Sequence, residues 1–425
     1  TNGMTDKDIV DAVREGRLDE AALDDAVDKI LSLLYDTQKA LGKGRRFTWA
    51  EHHAFARELA ARCAVLVKNE NGILPLKDGT AVAVIGDFAK NPRYQGAGSS
   101  LIAPTRLDNA LEELEKTGLW VMDYAQGFKR SGGESAGLRK EAIALAENAD
   151  ITLLFMGLDE ASEAEGVDRK HIRVNENQLK LLKELYDRGR KVVVVFTGGA
   201  PVECQWMKYA QAVLLPYLGG QAGAGAVADI LTGKKCPSGK LAETYPMRQS
   251  DMPTAAIYPG RELTAEHRES IYVGYRYYLS AGVKTALPFG FGLSYTEFEY
   301  SGLSIENGCV SFVVTNTGKC TGTECAQLYI QPPTGGSFRP LRELKGFAVA
   351  ELRPGESKRL SIKLDEHSFA LYSVDKSAWI CPAGDYKVQI AASSEDIRLE
   401  AEHFVPGEYE SRSDAAELPH YRSAK

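Results

Sequence analysis

The sequence predicts a layered α/β domain with a mostly parallel sheet, followed by an all-β sandwich of the immunoglobulin or fibronectin type III kind. Between residues 81 and 241, short apolar runs alternate with amphipathic segments, as expected for strands that are covered on both faces by crossover helices. After residue 300, apolar and polar residues alternate in short runs separated by turn sequences, which is typical of antiparallel sheets.

The first 64 residues are predicted to be helical, with a polar linker at residues 42–46. The predicted helices cover residues 5–15, 19–41 and 51–64. Thr5 and Asp8 have the spacing of a capping box at the start of the first helix. The second helix has apolar residues at helical spacing, so we expect one of its faces to be buried, and the third carries Phe55, Leu59 and Cys63 on one side.

Residues 65–250 are predicted to form the α/β domain. Its strands are expected at residues 81–86, 151–157, 192–197 and 212–216, with helices such as 138–148 and 177–188 between them. Glycines follow three of these strands, including those in the segment 96–100, GAGSS. Neither GxGxxG nor GxxxxGK[ST] occurs after a strand, which disfavours the alternative of a nucleotide-binding domain. The segment 96–100 is interpreted as a tight turn, either an ordinary one or one that lets a ligand approach its backbone and hydroxyl groups.

The acidic segment 157–169, GLDEASEAEGVDR, is the candidate active-site loop. It begins where the apolar strand 151–157 ends, and ligands of open α/β sheets bind at the carboxyl ends of the strands. An ordinary solvated acidic loop is the alternative interpretation of the same pattern.

The remaining chain is divided into a connector at residues 251–300, a β-sandwich at 301–405 and a polar tail at 406–425. The connector is rich in aromatic residues and glycine, and we interpret its aromatics as core packing, with a sugar-binding platform as the alternative. In the sandwich, strands are predicted at residues 310–315, 326–330, 344–350, 358–364 and 384–391.

Composition excludes several classes of partner. A net charge of -7 argues against nucleic acid and anionic membranes, and no apolar run is long enough to span a membrane. The seven cysteines lack CxxC spacing, so reduced thiols and a cytoplasmic location are expected; secretion stays open because a leader removed before Thr1 is not visible. The histidines are scattered without other ligands at metal-binding spacing, so they are interpreted as surface or locally bonded residues, and neither a metal nor a cofactor is expected.

Several blocks in one order resemble family 3 glycoside hydrolases, the β-glucosidase group. They include VLVKNENGILPL (65–76), GAGSS (96–100), SEAEGVDR (162–169), PYLGGQAGAG (216–225) and LPFGFGLSYTEFEY (287–300). The resemblance runs from the first helices to about residue 405. It implies the last two domains of such enzymes, an α/β sandwich and a fibronectin type III-like domain, while the helices before residue 42 resemble the segment that closes the preceding (β/α)8 barrel.

The resemblance also assigns site residues. Glu165 matches the family's general acid/base, with Glu163 as the runner-up, and Ser99 matches a serine that approaches the sugar. Asp168 and Arg169 would support the loop, with Arg169 expected to pair with a carboxylate. As an acid, Glu165 needs a pKa raised by burial or by neighbouring negative charge.

The family's nucleophile, an aspartate in an SDW motif of the barrel, has no counterpart in this sequence. The expected function is therefore retaining hydrolysis of terminal β-D-glucosyl residues, with this chain supplying the acid/base and a barrel domain or chain supplying the aspartate. The alternatives are a β-xylosidase or other family 3 exo-glycosidase, and a non-catalytic carbohydrate-binding or scaffold remnant. The expected partners are a β-glucoside or related oligosaccharide and the barrel.

Overall fold

The computed structural model of the protein describes residues 3–41, 44, 47–258, 260, 263–335, 338–365, 367–406 and 409–411. The chain forms two compact units, Thr1–His52 and His53–Lys425. Among the described helices, none is long and apolar enough to cross a bilayer.

The first unit consists of helices. They are α1 (Asp6–Arg14), α2 (Glu20–Leu41) and the beginning of α3 (Trp49–Cys63). The predicted capping box is wrong, because Thr5 has φ -110° and ψ 4°, not extended backbone, and its side chain makes no capping hydrogen bond. No residue of α2 is buried, so the expected buried face is also wrong for the described residues. Periodic spacing identifies the apolar face of a helix but does not supply a partner for it.

The second unit begins with an α/β domain. Its strands are β1 (Val65–Asn69), β2 (Ala81–Ile85), β3 (Trp120–Ala125), β4 (Ile151–Gly157), β5 (Val192–Thr197) and β6 (Ala212–Leu215). They form one sheet in the order β1-β6-β5-β4-β2-β3, in which β1 is antiparallel to β6 and the other neighbours are parallel. The predicted strands are found within one residue of their expected ends. The edge strand β3 escaped prediction because its side chains are largely exposed and therefore do not form an apolar run.

Helices cover both faces of this sheet. They are α4 (Asp87–Lys90), α5 (Ala110–Glu115), α6 (Ala136–Ala146), α7 (Glu176–Asp187) and α8 (Gly223–Leu231). Helix α5 packs on α8 and α6 packs on α7, while β2, β4 and β6 are buried along their whole length. The mostly parallel α/β fold that the sequence predicts is therefore confirmed.

Part of helix α3 is anchored to this domain by polar side chains. His53 is buried, its Nε2 lies 2.9 Å from Asp108 Oδ2, and Gln221 Nε2 donates to its Nδ1 at 2.9 Å. The interpretation of every histidine as a surface or locally bonded residue is thus wrong for His53, because its partners are far away in sequence. Phe55 and Leu59, on the predicted apolar side, are exposed instead.

The connector and the β-sandwich follow. Strand β7 (Tyr245–Pro246) precedes the connector and pairs with β8 (Thr285–Leu287), which follows α9 (Tyr275–Ala281) within the connector. The sandwich contains β9 (Phe298–Glu306), β10 (Cys309–Asn316), β11 (Gly322–Gln331), β12 (Glu343–Leu352), β13 (Ser357–Lys363), β14 (Leu371–Ser373), β15 (Ala378–Cys381), β16 (Gly384–Ser393), β17 (Asp396–Val405) and β18 (Tyr409–Ser411). Its sheets run β13-β10-β9, β12-β11-β16-β17 and β14-β15-β18, all antiparallel. The predicted all-β second part is confirmed.

Aromatic residues of the connector pack on one another and contact the sandwich. The Tyr275 ring stacks on Phe289 at 4.9 Å, and the Tyr275 hydroxyl accepts a hydrogen bond from Leu344 N at 2.8 Å. This packing agrees with the interpretation of these aromatics as core. Apart from Pro406 and strand β18, the predicted polar tail lies outside the described residues. The predicted domain boundaries stay predictions.

Candidate active site

The candidate site lies at the carboxyl edge of the parallel strands. The acidic loop follows β4, and it is flanked by the segments that follow β2 and β5, the neighbours of β4 in the sheet. Since adjacent parallel strands end at the same edge, the topology brings GAGSS, the acidic loop and Gly199 together from distant parts of the sequence.

Glu165 and Ser99 are in direct contact. The backbone pairs Ala97 with Ala164, and Glu165 N donates to Ala97 O at 3.1 Å. Ser99 N donates to Glu165 Oε2 at 3.0 Å, and the Ser99 hydroxyl donates to the same oxygen. Both residues are exposed, so the predicted acid/base and the predicted sugar-contacting serine form one accessible pair at the surface of the domain.

Gly98 makes this contact possible. Its φ of +106° is unfavourable for any residue with a side chain, and a Cβ at this position would lie 2.7 Å from Glu165 Cβ. Gly98 therefore permits the close approach of the segment 96–100 to the acidic loop.

The Ser99 hydroxyl and N–H bonds lower the pKa of Glu165 below its ordinary value. This differs from the expectation that burial or neighbouring negative charge would raise the pKa. Glu165 is exposed, and two donors stabilise its carboxylate form. These two bonds therefore favour the ionised form of the Glu165 carboxyl.

Ser99→Ala is expected to raise the pKa of Glu165 toward its ordinary value, because one of the two donors is lost. The Ser99 bonds depress the folded-state pKa, so their stabilising effect exists above the ordinary carboxyl pKa and disappears as pH falls through the folded-state value. A ¹³C NMR titration of the Glu165 carboxyl measures the shift. Ser100→Ala is the matched control, and an unchanged Glu165 pKa in Ser99→Ala would contradict the assigned contact.

Glu163, the runner-up, is held inside the loop. Gly199 N donates to both of its carboxylate oxygens, at 2.9 and 3.1 Å, and Arg93 Nη1 forms an ion pair with it. The same Arg93 nitrogen donates to Leu158 O at 2.9 Å. The Arg93 side chain is 1% exposed and that of Glu163 is 10% exposed. This buried pair fastens the acidic loop to the segment after β2, while the Gly199 bonds fasten it to the loop after β5.

Asp168 and Arg169, the predicted loop supports, have different environments. Arg169 is half-buried, and its Nη1 donates to Pro201 O at 3.2 Å. It thus anchors the loop through a carbonyl, and no ion pair between Arg169 and a carboxylate is found among the described residues. Burial lowers the pKa of Arg169. Asp168 is exposed, and burial followed by the Asp168 charge raises the pKa of Tyr258.

Sequence reasoning missed Arg93 and Glu243, which lie beside the acidic loop. Glu243 is half-buried just before β7, and its pKa is raised to about 7, first by burial and then by the charge of Glu163. Tyr217, close to both Glu243 and Tyr245, has φ 55°. The signal available in the sequence was weak: a single arginine after β2 and a glutamate in a loop have many ordinary explanations.

The described residues of the candidate site do not form a binding site for a metal ion. Across the described part of the chain, no three His, Cys, Asp or Glu side chains converge to form a metal site. The acidic loop disperses its carboxylates: Glu160 pairs with Arg130 at 2.5 Å, and Asp159 accepts from Ser162 N at 2.7 Å. The site offers carboxylate and hydroxyl groups, which suit acid–base chemistry on a neutral polar ligand.

Two regions of the chain match known families. Residues 64–295 match the glycosyl hydrolase family 3 C-terminal domain, and residues 324–394 match a fibronectin type III-like domain. Thermostable beta-glucosidase B of Acetivibrio thermocellus is 41% identical over 410 residues, which cover 94% of this chain and 54% of that protein. Exo-alpha-(1->6)-L-arabinopyranosidase of Bifidobacterium breve is 38% identical over 410 residues, covering 92% of this chain and 54% of that protein.

Solved structures show the same likeness. The GH3 beta-glucosidase of Bifidobacterium adolescentis superimposes with a TM-score of 0.90 at 37% identity, covering 99% of this chain and 62% of that one. Beta-glucosidase 3B of Thermotoga neapolitana, in complex with α-D-glucose, gives a TM-score of 0.85 at 31% identity, covering 96% and 62%. The chain spans about half the length of the curated relatives it matches.

Proposed function

The chain belongs to glycoside hydrolase family 3, and on this premise we propose that it serves the retaining hydrolysis of terminal β-D-glucosyl residues, with Glu165 as general acid/base. The observation that supports this most strongly is the position of Glu165: an exposed carboxylate, after a central parallel strand, held by two donors of Ser99. The aspartate nucleophile is proposed to lie on a (β/α)8 barrel outside these 425 residues.

Retaining hydrolysis needs two carboxyl groups about 5 to 5.5 Å apart, one on each side of the scissile bond. The nucleophile attacks the anomeric carbon while the acid protonates the departing oxygen, and the resulting carboxylate then deprotonates the water that releases the sugar. Exposure of Glu165 is what this arrangement requires, since its carboxyl must face a partner surface. The Ser99 bonds favour the ionised form, which is the form needed in the second step.

The first step needs the protonated form of Glu165. A sugar and a second domain packed over the loop would exclude water from the carboxyl and raise its pKa. If the Ser99 hydroxyl turns to a sugar hydroxyl at the same time, Glu165 loses one donor, which raises the pKa further. Ser99 would thus contact the substrate and also control the protonation of Glu165.

Two alternatives are retained. Similarity to the exo-alpha-(1->6)-L-arabinopyranosidases favours a second exo-glycosidase specificity, because their identity of 38% is close to the 41% of beta-glucosidase B. A non-catalytic remnant is the other alternative, since the sequence has no SDW motif.

A chimera tests the proposal. The part of thermostable beta-glucosidase B that precedes its match to this chain is fused in front of residue 1, and hydrolysis of aryl β-glucosides, β-xylosides and α-L-arabinopyranosides is measured. We expect turnover of the β-glucoside by the chimera and none by the 425-residue chain alone. Turnover by the chain alone would place a nucleophile within it. A folded chimera that binds glucose without turnover would favour the non-catalytic alternative.

A further inference from the structure

A buried histidine connects three elements of the α/β domain through both of its ring nitrogens. The Nε2 atom of His53, in helix α3, lies 2.9 Å from Asp108 Oδ2, and Gln221 Nε2 lies 2.9 Å from His53 Nδ1. The side chains of His53 and Asp108 are 7% and 3% exposed. A carboxylate only accepts hydrogen bonds, so Nε2 carries the proton and Nδ1 accepts from the Gln221 amide. Asp108 ends the segment 94–108, called here the Ser99 loop.

The Ser99 loop is attached at both ends to the dipeptide that follows β6. At its beginning, Gly220 N donates to Tyr94 O at 2.9 Å, and at its end Asp108 N donates to Gln221 O at 2.9 Å. His53 binds the side chains of Asp108 and Gln221, one on each side of the second attachment. The imidazole therefore holds the end of the loop and the dipeptide in one fixed arrangement.

The part of the Ser99 loop that carries the serine is bonded internally. Ile102 N donates to Gln95 Oε1 at 3.0 Å, and Ile102 O accepts from Gln95 Nε2 at 2.9 Å and from the Tyr94 hydroxyl at 3.0 Å. Ser99 lies between these bonded positions and donates to the Glu165 carboxylate from its N–H and its hydroxyl. A shift at the ends of the loop would therefore move Ser99 relative to Glu165.

We propose that His53 is a positioning residue for the contact between Ser99 and Glu165. It fixes the attachment of the Ser99 loop, and the bonded loop fixes the serine. The catalytic consequence of this role rests on the proposed function of Glu165, whereas the positional role itself does not.

Helix α3 has a second polar anchor, which allows positioning of the loop to be separated from anchoring of the helix. Arg57, one helical turn after His53, donates from Nε and Nη2 to Asp229 at 2.7 and 2.9 Å, and it pairs with Glu113 at 2.5 Å. These carboxylates belong to α8 and α5, outside the Ser99 loop. Loss of Arg57 should therefore loosen the helix and leave the loop in place.

The experiment measures the pKa of the Glu165 carboxyl by ¹³C NMR titration in the whole 425-residue chain. Because the Ser99 bonds lower this pKa, His53→Leu should raise it in the same direction as Ser99→Ala does. His53→Gln keeps a donor that can reach Asp108, so it should give a smaller rise. Arg57→Met is the matched control: it should lower the free energy of unfolding and leave the Glu165 pKa unchanged.

A measurement on the unaltered chain does not depend on whether these variants fold. ¹⁵N NMR of the imidazole ring at pH 8 should show His53 with the proton on Nε2 and with Nδ1 as a hydrogen-bond acceptor. The opposite tautomer, an unchanged Glu165 pKa in both His53 variants, or an equal rise of that pKa in Arg57→Met would each overturn the proposal.

The chimera described above separates this proposal from the proposed function. In an active chimera, His53→Leu should lower kcat/KM for aryl β-glucosides by about 10- to 100-fold, because a small displacement of a group in the site is costly. If the chimera is inactive while the Glu165 pKa responds to His53→Leu, the proposed function fails and the positioning role stands. Full activity of the His53→Leu chimera would overturn the positioning role.

Discussion

Glu165→Gln in the chimera is expected to lower kcat for β-glucosides with poor leaving groups by about 10² to 10⁴-fold. The amide does not supply the proton that a poor leaving group needs, but it keeps the shape and the Ser99 bonds of the carboxylate. Aryl glycosides with good leaving groups need no proton to form the glycosyl-enzyme, so their first step should be affected much less. Rates for a series of aryl β-glucosides, plotted against leaving-group pKa, measure this difference.

Azide provides a second readout for the same variant. A small anion that enters the place of the missing base should restore turnover in Glu165→Gln and give a β-glucosyl azide, because it attacks the glycosyl-enzyme without needing a general base. Glu163→Gln is the matched control, two positions away. If Glu163→Gln shows leaving-group dependence and azide rescue while Glu165→Gln shows neither, the assignment of the acid/base to Glu165 is wrong.

Arg93→Met is expected to destabilise the second unit by about 3 to 5 kcal/mol, because it leaves the Glu163 carboxylate without its ion-pair partner in a site that is 10% exposed. The acidic loop would also lose the bond from Arg93 to Leu158 O. The free energy of unfolding, measured in urea at neutral pH, gives the size of the effect. Glu165 should then become more mobile, because its loop is no longer fastened to the segment after β2 through Arg93.

Lys180→Met is the control for Arg93→Met. Lys180 pairs with Glu134 at the surface, where the two side chains are 54% and 51% exposed, so its loss should cost much less stability than the loss of Arg93. If both variants lose the same stability, Glu163 is not held by Arg93 in solution. The double variant Arg93→Met/Glu163→Leu should recover much of the loss, because it removes the unpaired charge as well.

This double variant also tests the effect of the Arg93 donors that have no hydrogen-bond partner. Among the described residues, Arg93 Nε and Nη2 are buried without hydrogen-bond partners, so the ion pair carries unsatisfied donors. A buried ion pair of this kind contributes little net stability, because desolvation of the two charges offsets their attraction. It does favour the one loop geometry in which the two charges meet. We therefore expect the double variant to be folded but to have a less ordered acidic loop.

The local pattern of the sequence was enough to predict the strands of the α/β domain. Strands β2, β4 and β5 are nearly continuous apolar runs because both of their faces are covered, and such runs are visible without any structure. Strand β3 lies at the sheet edge and carries exposed residues such as Trp120, so its pattern resembles a loop. Helix α2 shows the converse: its periodicity predicted the helix correctly and its burial incorrectly.

The prediction of site residues depended on the resemblance more than on the pattern. Five carboxylates in thirteen residues indicated an acidic loop, but nothing in that spacing distinguishes Glu163 from Glu165. The structure gives them opposite environments: Glu163 is nearly buried between Arg93 and Gly199, and Glu165 is exposed beside Ser99.

The sequence by itself determined the order of the two domains, the strand that precedes the acidic loop and the family to which its motifs point. Hydrophobic periodicity and turn residues act over a few positions, so they can be read directly from the chain. The tertiary structure alone decided the partners: Arg93 is 70 positions from Glu163, and Ser99 is 66 from Glu165. Charge and protonation at these sites depend on which groups are brought within hydrogen-bonding distance, and sheet topology and burial control that distance.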